Sequence, residues 1–190
     1  NYTMSVNFRY GTAFYKNIGR SLNAYNQENI SKNLTRYYDG GSPTALWAVR
    51  SRGIDPATGQ EIFVKKDGTL TYTFDYKDEV EVGDSRPTLE GVWGNTFYYK
   101  GWSASLQLRY SFGADVFNST LFNKVENISS RSITTNQDRR ALYNRWKKPG
   151  DKAKFKSISL TESTPMSSRF VMKENYLSIE SVRLGYQFDS

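Results

Sequence analysis

The chain contains neither cysteine nor histidine among its 190 residues. Without cysteine it has no disulfide bond, no thiolate metal site and no thiol nucleophile. Without histidine it lacks the commonest general base and the commonest metal ligand. Its acidic side chains show neither a catalytic constellation nor the spacing of an EF-hand calcium loop. The sequence therefore predicts a protein that is not an enzyme and that needs no cofactor or metal. A solvated acidic loop is predicted for the carboxylates Asp75, Asp78, Glu79, Glu81 and Asp84.

Long apolar runs are also missing. The mean hydropathy is -0.68, and no stretch approaches the ~18 consecutive apolar residues that a membrane-spanning helix needs. Strands of a membrane barrel escape this test, because only every second residue has to be apolar. Aromatic residues make up 15% of the chain. This density is typical of β-structure and of the aromatic girdles at membrane interfaces.

Alternation of apolar and polar residues predicts four long strands, at about residues 2–10, 92–99, 102–113 and 176–188. The third strand exceeds the ~5–6 residues of a common soluble strand. It matches the ~9–11 residues that cross a bilayer obliquely. In the fourth strand the alternation changes phase at Glu180-Ser181, which predicts a β-bulge.

The second and third strands are joined by Lys100-Gly101, two residues that favour a tight hairpin. This turn fixes the register of the pair and places one set of side chains on a common face. The predicted partners are Tyr99 with Trp102, Phe97 with Ala104, Asn95 with Leu106 and Trp93 with Leu108.

Two long connections, residues 11–91 and 114–175, alternate with this tight turn. Outer-membrane barrels have this arrangement, with short periplasmic turns and longer extracellular loops. Four strands cannot close a barrel, because the smallest known barrels have ~8. The fold class predicted is thus all-β, a partial antiparallel transmembrane β-barrel with two long extracellular loops that carry short helices and a hairpin. No signal-peptide pattern precedes the first strand, so we expect the natural start to lie upstream.

Each long loop has predicted structure of its own. The first has apolar residues compatible with one or two short helices between Ile18 and Leu34. It also has an Asp67-Gly68 turn between two apolar runs, 62–64 and 70–74, which indicates a hairpin. The second predicts a helix from about Asn136 to Lys147, opened by a capping box of Thr135 and Asp138.

Two tryptophans in these loops, Trp47 and Trp146, are the candidate site residues. Each is read either as loop packing or as an aromatic that contacts a sugar or a peptide near the pore mouth. On the barrel strands, polar residues such as Arg9, Gln107 and Arg109 are expected to line the lumen.

The formal net charge is +7, and residues 114–175 carry 12 Lys and Arg against 6 Asp and Glu, an excess of +6. No recognised nucleic-acid motif accompanies this excess, so no nucleic-acid partner is expected. A solvated basic loop near anionic lipopolysaccharide is the interpretation favoured.

Five runs resemble SusC/RagA-type TonB-dependent transporters, in the order in which that family has them. They are GIDPATGQEIF (53–63), VGDSRPTLEG (82–91), YKGWSASLQLRYSFGADVFN (99–118), DRRALYNRWKKPGD (138–151) and SSRFVMKENYLSIESVRLGYQF (167–188). The resemblance implies a 22-stranded barrel of which this chain is a C-terminal part, with the N-terminal plug absent from it.

The resemblance also implies partners and a location. It implies a SusD-like surface lipoprotein, contact with the TonB complex through the missing N-terminal part, and import of oligosaccharides or peptides. The implied location is the outer membrane of a Gram-negative cell, as a multi-pass barrel in contact with lipid and lipopolysaccharide. The alternative is a soluble β-sandwich carbohydrate-binding module, which would have short loops throughout.

Overall fold

The structure is a computed structural model that describes residues 1–130, 133–134 and 138–188. Its strands form two four-stranded antiparallel sheets, so the chain is all-β as the sequence predicts. No helix in these ranges is long and apolar enough to cross a membrane. The strands are β1 (Tyr2–Tyr10), β2 (Ala45–Ile54), β3 (Glu61–Val64), β4 (Leu70–Thr71), β5 (Glu79–Asp84), β6 (Leu89–Tyr99), β7 (Trp102–Phe117) and β8 (Val171–Tyr186). The helical pieces that lie wholly within these ranges are α1 (Asn23–Glu28), a π-helix (Leu121–Glu126) and three 3₁₀ turns (Tyr76–Asp78, Arg139–Leu142 and Ser168–Phe170).

The first sheet, which we call the long sheet, has the strand order β1-β6-β7-β8. Its first strand has the predicted bounds, whereas β6 begins at Leu89, three residues earlier than predicted. Strands β7 and β8 remain paired to their far ends, where Phe117 lies opposite Val171. A register irregularity around Gly113, which has a φ of 86°, interrupts the alternation there. The alternation of apolar and polar residues is lost at this irregularity. The sequence pattern therefore predicts that β7 ends at residue 113 and that β8 begins at residue 176, whereas β7 extends to Phe117 and β8 begins at Val171.

The hairpin between β6 and β7 has the predicted register at all four pairs, from Tyr99 with Trp102 to Trp93 with Leu108. Both turn residues have positive φ, 43° at Lys100 and 79° at Gly101. Such a turn matches the right-handed twist of the strands that it joins. The bulge in β8 is also confirmed, because Ile179 lies opposite Leu108 and Ser181 opposite Gln107, which leaves Glu180 as the extra residue.

The long sheet has one apolar and one polar face. On the apolar face the rows run straight across the strands, and many large side chains are exposed, such as Phe8 at 69% and Leu184 at 77%. The apolar face carries Tyr2, Met4, Val6, Phe8, Trp93, Phe97, Leu106, Leu108, Tyr110, Leu177, Ile179, Val182 and Leu184. Asn95 is a polar residue on this face, and its side-chain oxygen accepts a hydrogen bond from the Tyr2 hydroxyl. The opposite face carries Thr3, Ser5, Asn7, Arg9, Glu90, Thr96, Ser105, Gln107, Arg109, Ser178 and Arg183.

The second sheet, the small sheet, has the order β4-β3-β2-β5 and is built from the first long connection. The predicted hairpin is present as β3 and β4, although β4 ends at Thr71 and not at Phe74. Phe74 instead packs its ring on Phe63, with centroids 5.2 Å apart. Strands β2 and β5 were not predicted, and the segment read as a solvated acidic loop in fact contributes β5.

The loop cap is the name we give to residues 12–88 together with the described part of 118–170. It lies at one end of the long sheet, because Tyr10 is paired with Leu89 and Phe117 with Val171 at that end. The tight hairpin turn lies at the other end. The two long connections therefore share one side of the sheet, as the alternating pattern of loops and turn predicts.

The predicted helix from Asn136 to Lys147 is wrong over its described part. Only the 3₁₀ turn Arg139–Leu142 is helical, and Asp138 caps it by accepting a hydrogen bond from the Arg140 N–H at 2.9 Å. The cap position Thr135 and the first two helical positions lie outside the described residues. Beyond the turn, Arg145 pairs with Phe155 in a β-bridge. Tertiary contacts of Arg145 thus override the local helical pattern.

A buried ionic network joins the two connections within the loop cap. The guanidinium group of Arg169 donates to Glu61 Oε2 at 2.9 Å and to Glu126 Oε1 at 2.8 Å. Burial opposes the charge of Arg169, yet hydrogen bonds to Glu126 and Glu61 raise its pKa above the ordinary value. Arg145 is also buried and bonds the backbone oxygen of Glu126 at 3.3 Å. The prediction of a wholly solvated basic loop is therefore wrong at Arg145 and Arg169, because both are committed to the cap interior.

Candidate functional site in the loop cap

Trp47 is the third residue of β2, half-buried between two backbone partners. Its N–H donates to Leu34 O at 2.7 Å, and on the other side the residue pairs with Glu81 of β5. Its ring packs against the ring of Tyr38, with centroids 4.8 Å apart and planes at 58°. The backbone fixes the position of Trp47, and part of the indole stays accessible.

Beside this ring pair is an open cleft of about 540 Å³, which we call the Trp47 cleft. Aromatic, cationic and amide groups line it together, a combination found in sites that bind small polar ligands. Its lining residues are Gln27, Ile30, Tyr38, Trp47, Lys66, Tyr76, Lys77 and Glu79. The lining comes from α1 and the segment after it, from β2, from the β3–β4 turn, from the 3₁₀ turn Tyr76–Asp78 and from the first residue of β5.

One residue that lines the Trp47 cleft, Glu79, forms a buried ion pair with Arg36. Arg36, only 1% exposed, donates to both carboxylate oxygens of Glu79 at 3.0 and 2.9 Å. Its remaining N–H groups donate to the backbone oxygens of Ile30, Asn33 and Thr35 at 2.8, 2.9 and 2.8 Å. Burial raises the pKa of Glu79, and the bonds from Arg36 oppose that rise. Glu79 thus serves as a structural partner of Arg36, and the expectation of a solvated carboxylate fails at this position.

Trp146 lies elsewhere in the loop cap and does not line the Trp47 cleft. Its indole Nε1 donates to Pro56 O at 2.9 Å, and its ring covers Gly59. Gly59 has a φ of 74°, and a Cβ built on it would lie 2.5 Å from the Trp146 ring. The ring therefore packs on the β2–β3 turn, while the side chain stays half-buried.

A second cavity of about 570 Å³ lies where the first connection meets the π-helix and the segment before β8. Tyr76 lines it and the Trp47 cleft alike. Its apolar part includes Phe117 and Phe122, whose rings pack 5.4 Å apart. Lys32 and Thr164 are among its polar lining residues.

The residues expected to line a lumen, Arg9, Gln107 and Arg109, share the polar face of the long sheet. Arg9 pairs with Glu90 at 3.3 Å, and Arg109 with Glu180 at 2.5 Å. The bulge at Glu180 thus brings its carboxylate to Arg109. In the part of the chain that the structure describes, no group of three or more acidic residues could hold a metal ion.

Comparison with known proteins links this geometry to a family. No protein-family model matches the chain. A curated relative, TonB-dependent receptor P39 of Formosa agariphila, is 24% identical over 115 residues, which cover 59% of this chain and 11% of the relative. The RagAB peptide importer in its open-open state matches over 98% of the chain with a TM-score of 0.73 and 18% identity. Its closed-closed state gives 0.71 and 19% over 98% of the chain.

The chain resembles part of a SusC/RagA-type TonB-dependent transporter. The sequence relative is named as a TonB-dependent receptor, and the solved structures share the all-β antiparallel fold of this chain. The chain spans 11% of the curated relative and 20% of each solved chain. The proteins that it resembles are a receptor and importers, not enzymes, in agreement with the prediction that the chain has no catalytic role.

Most of the Trp47 cleft was not foreseen from the sequence of this transporter-like chain. One signal was available, since Ala45 to Val49 form a run of five apolar residues typical of a buried strand. That run would have placed Trp47 on a strand. No local pattern connects it with Lys66 and Lys77, because pairing of β2 with both β3 and β5 brings them together.

Proposed function

We propose that the chain is part of the barrel of an outer-membrane TonB-dependent transporter that imports oligosaccharides or peptides in a Gram-negative cell. The observation that carries the proposal is the exposed apolar face of the long sheet, backed by a polar face with ion pairs. In this arrangement the apolar face meets lipid and the polar face lines the lumen. Residues 1–190 would form a C-terminal part of the barrel, and the plug would belong to another part of the protein.

Strand length supports the membrane assignment. Strands β1, β6, β7 and β8 contain 9, 11, 16 and 16 residues. Crossing a bilayer obliquely takes about 9–11 residues per strand. The longer β7 and β8 would extend beyond the lipid and carry the loop cap on the extracellular side. Aromatic pairs such as Trp102 with Tyr186 would lie at the periplasmic interface, where a girdle belongs.

The proposal includes partners outside the chain. A SusD-like surface lipoprotein would cover the loop cap, and the TonB complex would act through the N-terminal part of the protein. The family resemblance supports both. Trp47 and Trp146 are proposed to contact substrate, Trp47 in its cleft and Trp146 through the part of its ring that the β2–β3 turn leaves accessible.

A soluble β-sandwich module is less well supported. It would bury the apolar face of the long sheet against a second sheet. In the described residues that face is exposed, and the small sheet belongs to the loop cap at one end.

Labelling of single cysteines tests the sidedness, since the chain has no cysteine of its own. We expect a membrane-impermeant maleimide to label Ala57→Cys, in the β2–β3 turn, on intact cells. Gln187→Cys, beside the tight turn at the opposite end, should react only after the outer membrane is permeabilised. Equal labelling of both positions on intact cells would contradict the proposal.

A further inference from the structure

The Trp47 cleft presents cations beside a stacking surface. Lys66 and Lys77 both line it, and neither forms an ion pair within the described ranges. The one lining carboxylate, Glu79, has both oxygens bonded to Arg36. The net charge of the lining is therefore positive, and an incoming anion meets no free carboxylate in it.

Three residues that line the cleft have their backbone N–H groups already hydrogen-bonded within the protein. The N–H of Trp47 donates to Leu34 O at 2.7 Å, that of Lys66 to Asp78 Oδ1 at 3.1 Å, and that of Lys77 to an Asp75 oxygen at 2.9 Å. An extended peptide that binds by strand addition needs free main-chain groups. At these three residues the backbone donors are already used, so the donors that remain there for a ligand belong to the side chains.

The side chains offer flat rings, an amide and two ammonium groups. Trp47, Tyr38 and Tyr76 supply aromatic faces, Gln27 supplies an amide donor and acceptor, and the two lysines supply charge. A sugar ring has a flat C–H face for stacking and hydroxyl groups for the amide. An acidic substituent on that ring would form ion pairs with the ammonium groups of the two lysines.

We propose that the Trp47 cleft binds a negatively charged sugar unit of an oligosaccharide, with the ring against Trp47 and the acidic group between Lys66 and Lys77. The acidic group is a carboxylate or a sulfate ester, which lysine ammonium groups bind alike. This proposal rests on the proposed transport function and names the class of substrate.

The test measures binding by calorimetry with the full transporter in detergent. The probes are tetragalacturonate, a sulfated galactan tetrasaccharide, neutral maltotetraose and tetraglutamate. We expect at least one charged saccharide to bind more tightly than maltotetraose, and its affinity to fall as salt screens the lysines. The two charged saccharides distinguish carboxylate from sulfate as the preferred group.

The double variant Lys66→Gln/Lys77→Gln should weaken binding of the charged saccharide by about tenfold or more, the effect of losing charge-assisted hydrogen bonds. The matched control is Lys16→Gln/Lys152→Gln, which removes two exposed lysines outside the cleft and should leave affinity unchanged. Trp47→Phe should weaken binding by reducing the stacking surface.

Three results would overturn the inference. They are tighter binding of tetraglutamate than of either charged saccharide, equal binding of maltotetraose, and unchanged affinity in the lysine double variant. The cysteine labelling above separates this failure from failure of the transport function. Correct sidedness without charged-saccharide binding overturns the substrate class alone, whereas wrong sidedness overturns the transport function.

Discussion

At the scale of single residues, Arg169 is notable because it contacts three separate parts of the loop cap. It bonds Glu61 on β3, Glu126 in the π-helix and the backbone oxygen of Lys154 at 2.8 Å. Ser167 adds a hydrogen bond to the other oxygen of Glu61 at 2.6 Å. One side chain thus links both long connections to the start of β8.

Arg169→Ala should destabilise the loop cap by roughly 3–5 kcal/mol, because two buried carboxylates would lose their cation. Hydrogen exchange of the detergent-solubilised transporter measures the effect as faster exchange in β3 and the π-helix. Exposed Arg52 supplies the control Arg52→Ala, which should leave exchange in both elements unchanged. Unchanged exchange in Arg169→Ala would show that the network does not hold the cap together.

Gly59 and Gly68 form a matched pair for testing the position of Trp146. Both have positive φ, 74° and 89°, so alanine strains the backbone at either site. Only Gly59→Ala would also push on the Trp146 ring, because Gly68 has no atom within 4 Å of a built Cβ. We expect Gly59→Ala to raise protease cleavage between residues 144 and 151, and Gly68→Ala not to do so. Equal cleavage would contradict the packing of Trp146 on the β2–β3 turn.

At the scale of the element, the two faces of β7 differ in the surroundings that we expect for their side chains. Leu108 lies in the middle of the apolar face, between Trp93 and Ile179. Its neighbour Gln107 lies on the polar face, between Gly94 and Ser181. A charge at position 108 would enter lipid, and a charge at position 107 would enter the lumen.

Leu108→Arg should destabilise the barrel by about 2–4 kcal/mol, the cost of a lipid-facing arginine near the bilayer midplane. Gln107→Arg is the control from the adjacent position and should cost little. Urea unfolding of the transporter in lipid vesicles measures both. A similar loss of stability in the two variants would argue against the assignment of the faces.

How far the sequence predicts an element depends on where its partners lie. The β6–β7 hairpin was predicted pair by pair, because the two-residue turn at Lys100-Gly101 and the alternation around it are local. The bulge at Glu180 was also local, as a change of phase within one strand. Strand β2 was missed, because its apolar run has no alternation and one of its partners, β5, lies beyond β3 and β4 in the chain.

The predicted helix near Arg145 failed for a related reason. Local spacing favoured a helix, but burial of the Arg145 guanidinium group against Glu126 and Phe155 decided the backbone. Among the candidate site residues, the environment of Trp47 could not be predicted from local patterns, since its cleft is assembled from several segments that are separate in sequence. Substrate contact by Trp47 and Trp146 stays a prediction.

At the scale of the whole chain, the long sheet carries the folded loop cap at one end. The cap is joined to the top of β7, where Asp115 accepts hydrogen bonds from Asp84 N–H at 3.2 Å and from Lys173 at 3.0 Å. Phe117, Phe122 and Phe170 pack together at the same place. These contacts hold the loop cap against the far ends of β7 and β8.

In the barrel that we propose, the apolar face of the long sheet meets lipid and the polar face meets water. The most direct test is spin labelling of single cysteines at each position from 103 to 110 of β7, with the transporter in lipid vesicles. We expect collision with oxygen, which partitions into lipid, to be high at positions 104, 106, 108 and 110 and low at the four odd positions. A water-soluble nickel complex should show the opposite pattern. Even positions shielded from both reagents would mean that a protein layer covers this face, as in a soluble sandwich, and would contradict the account.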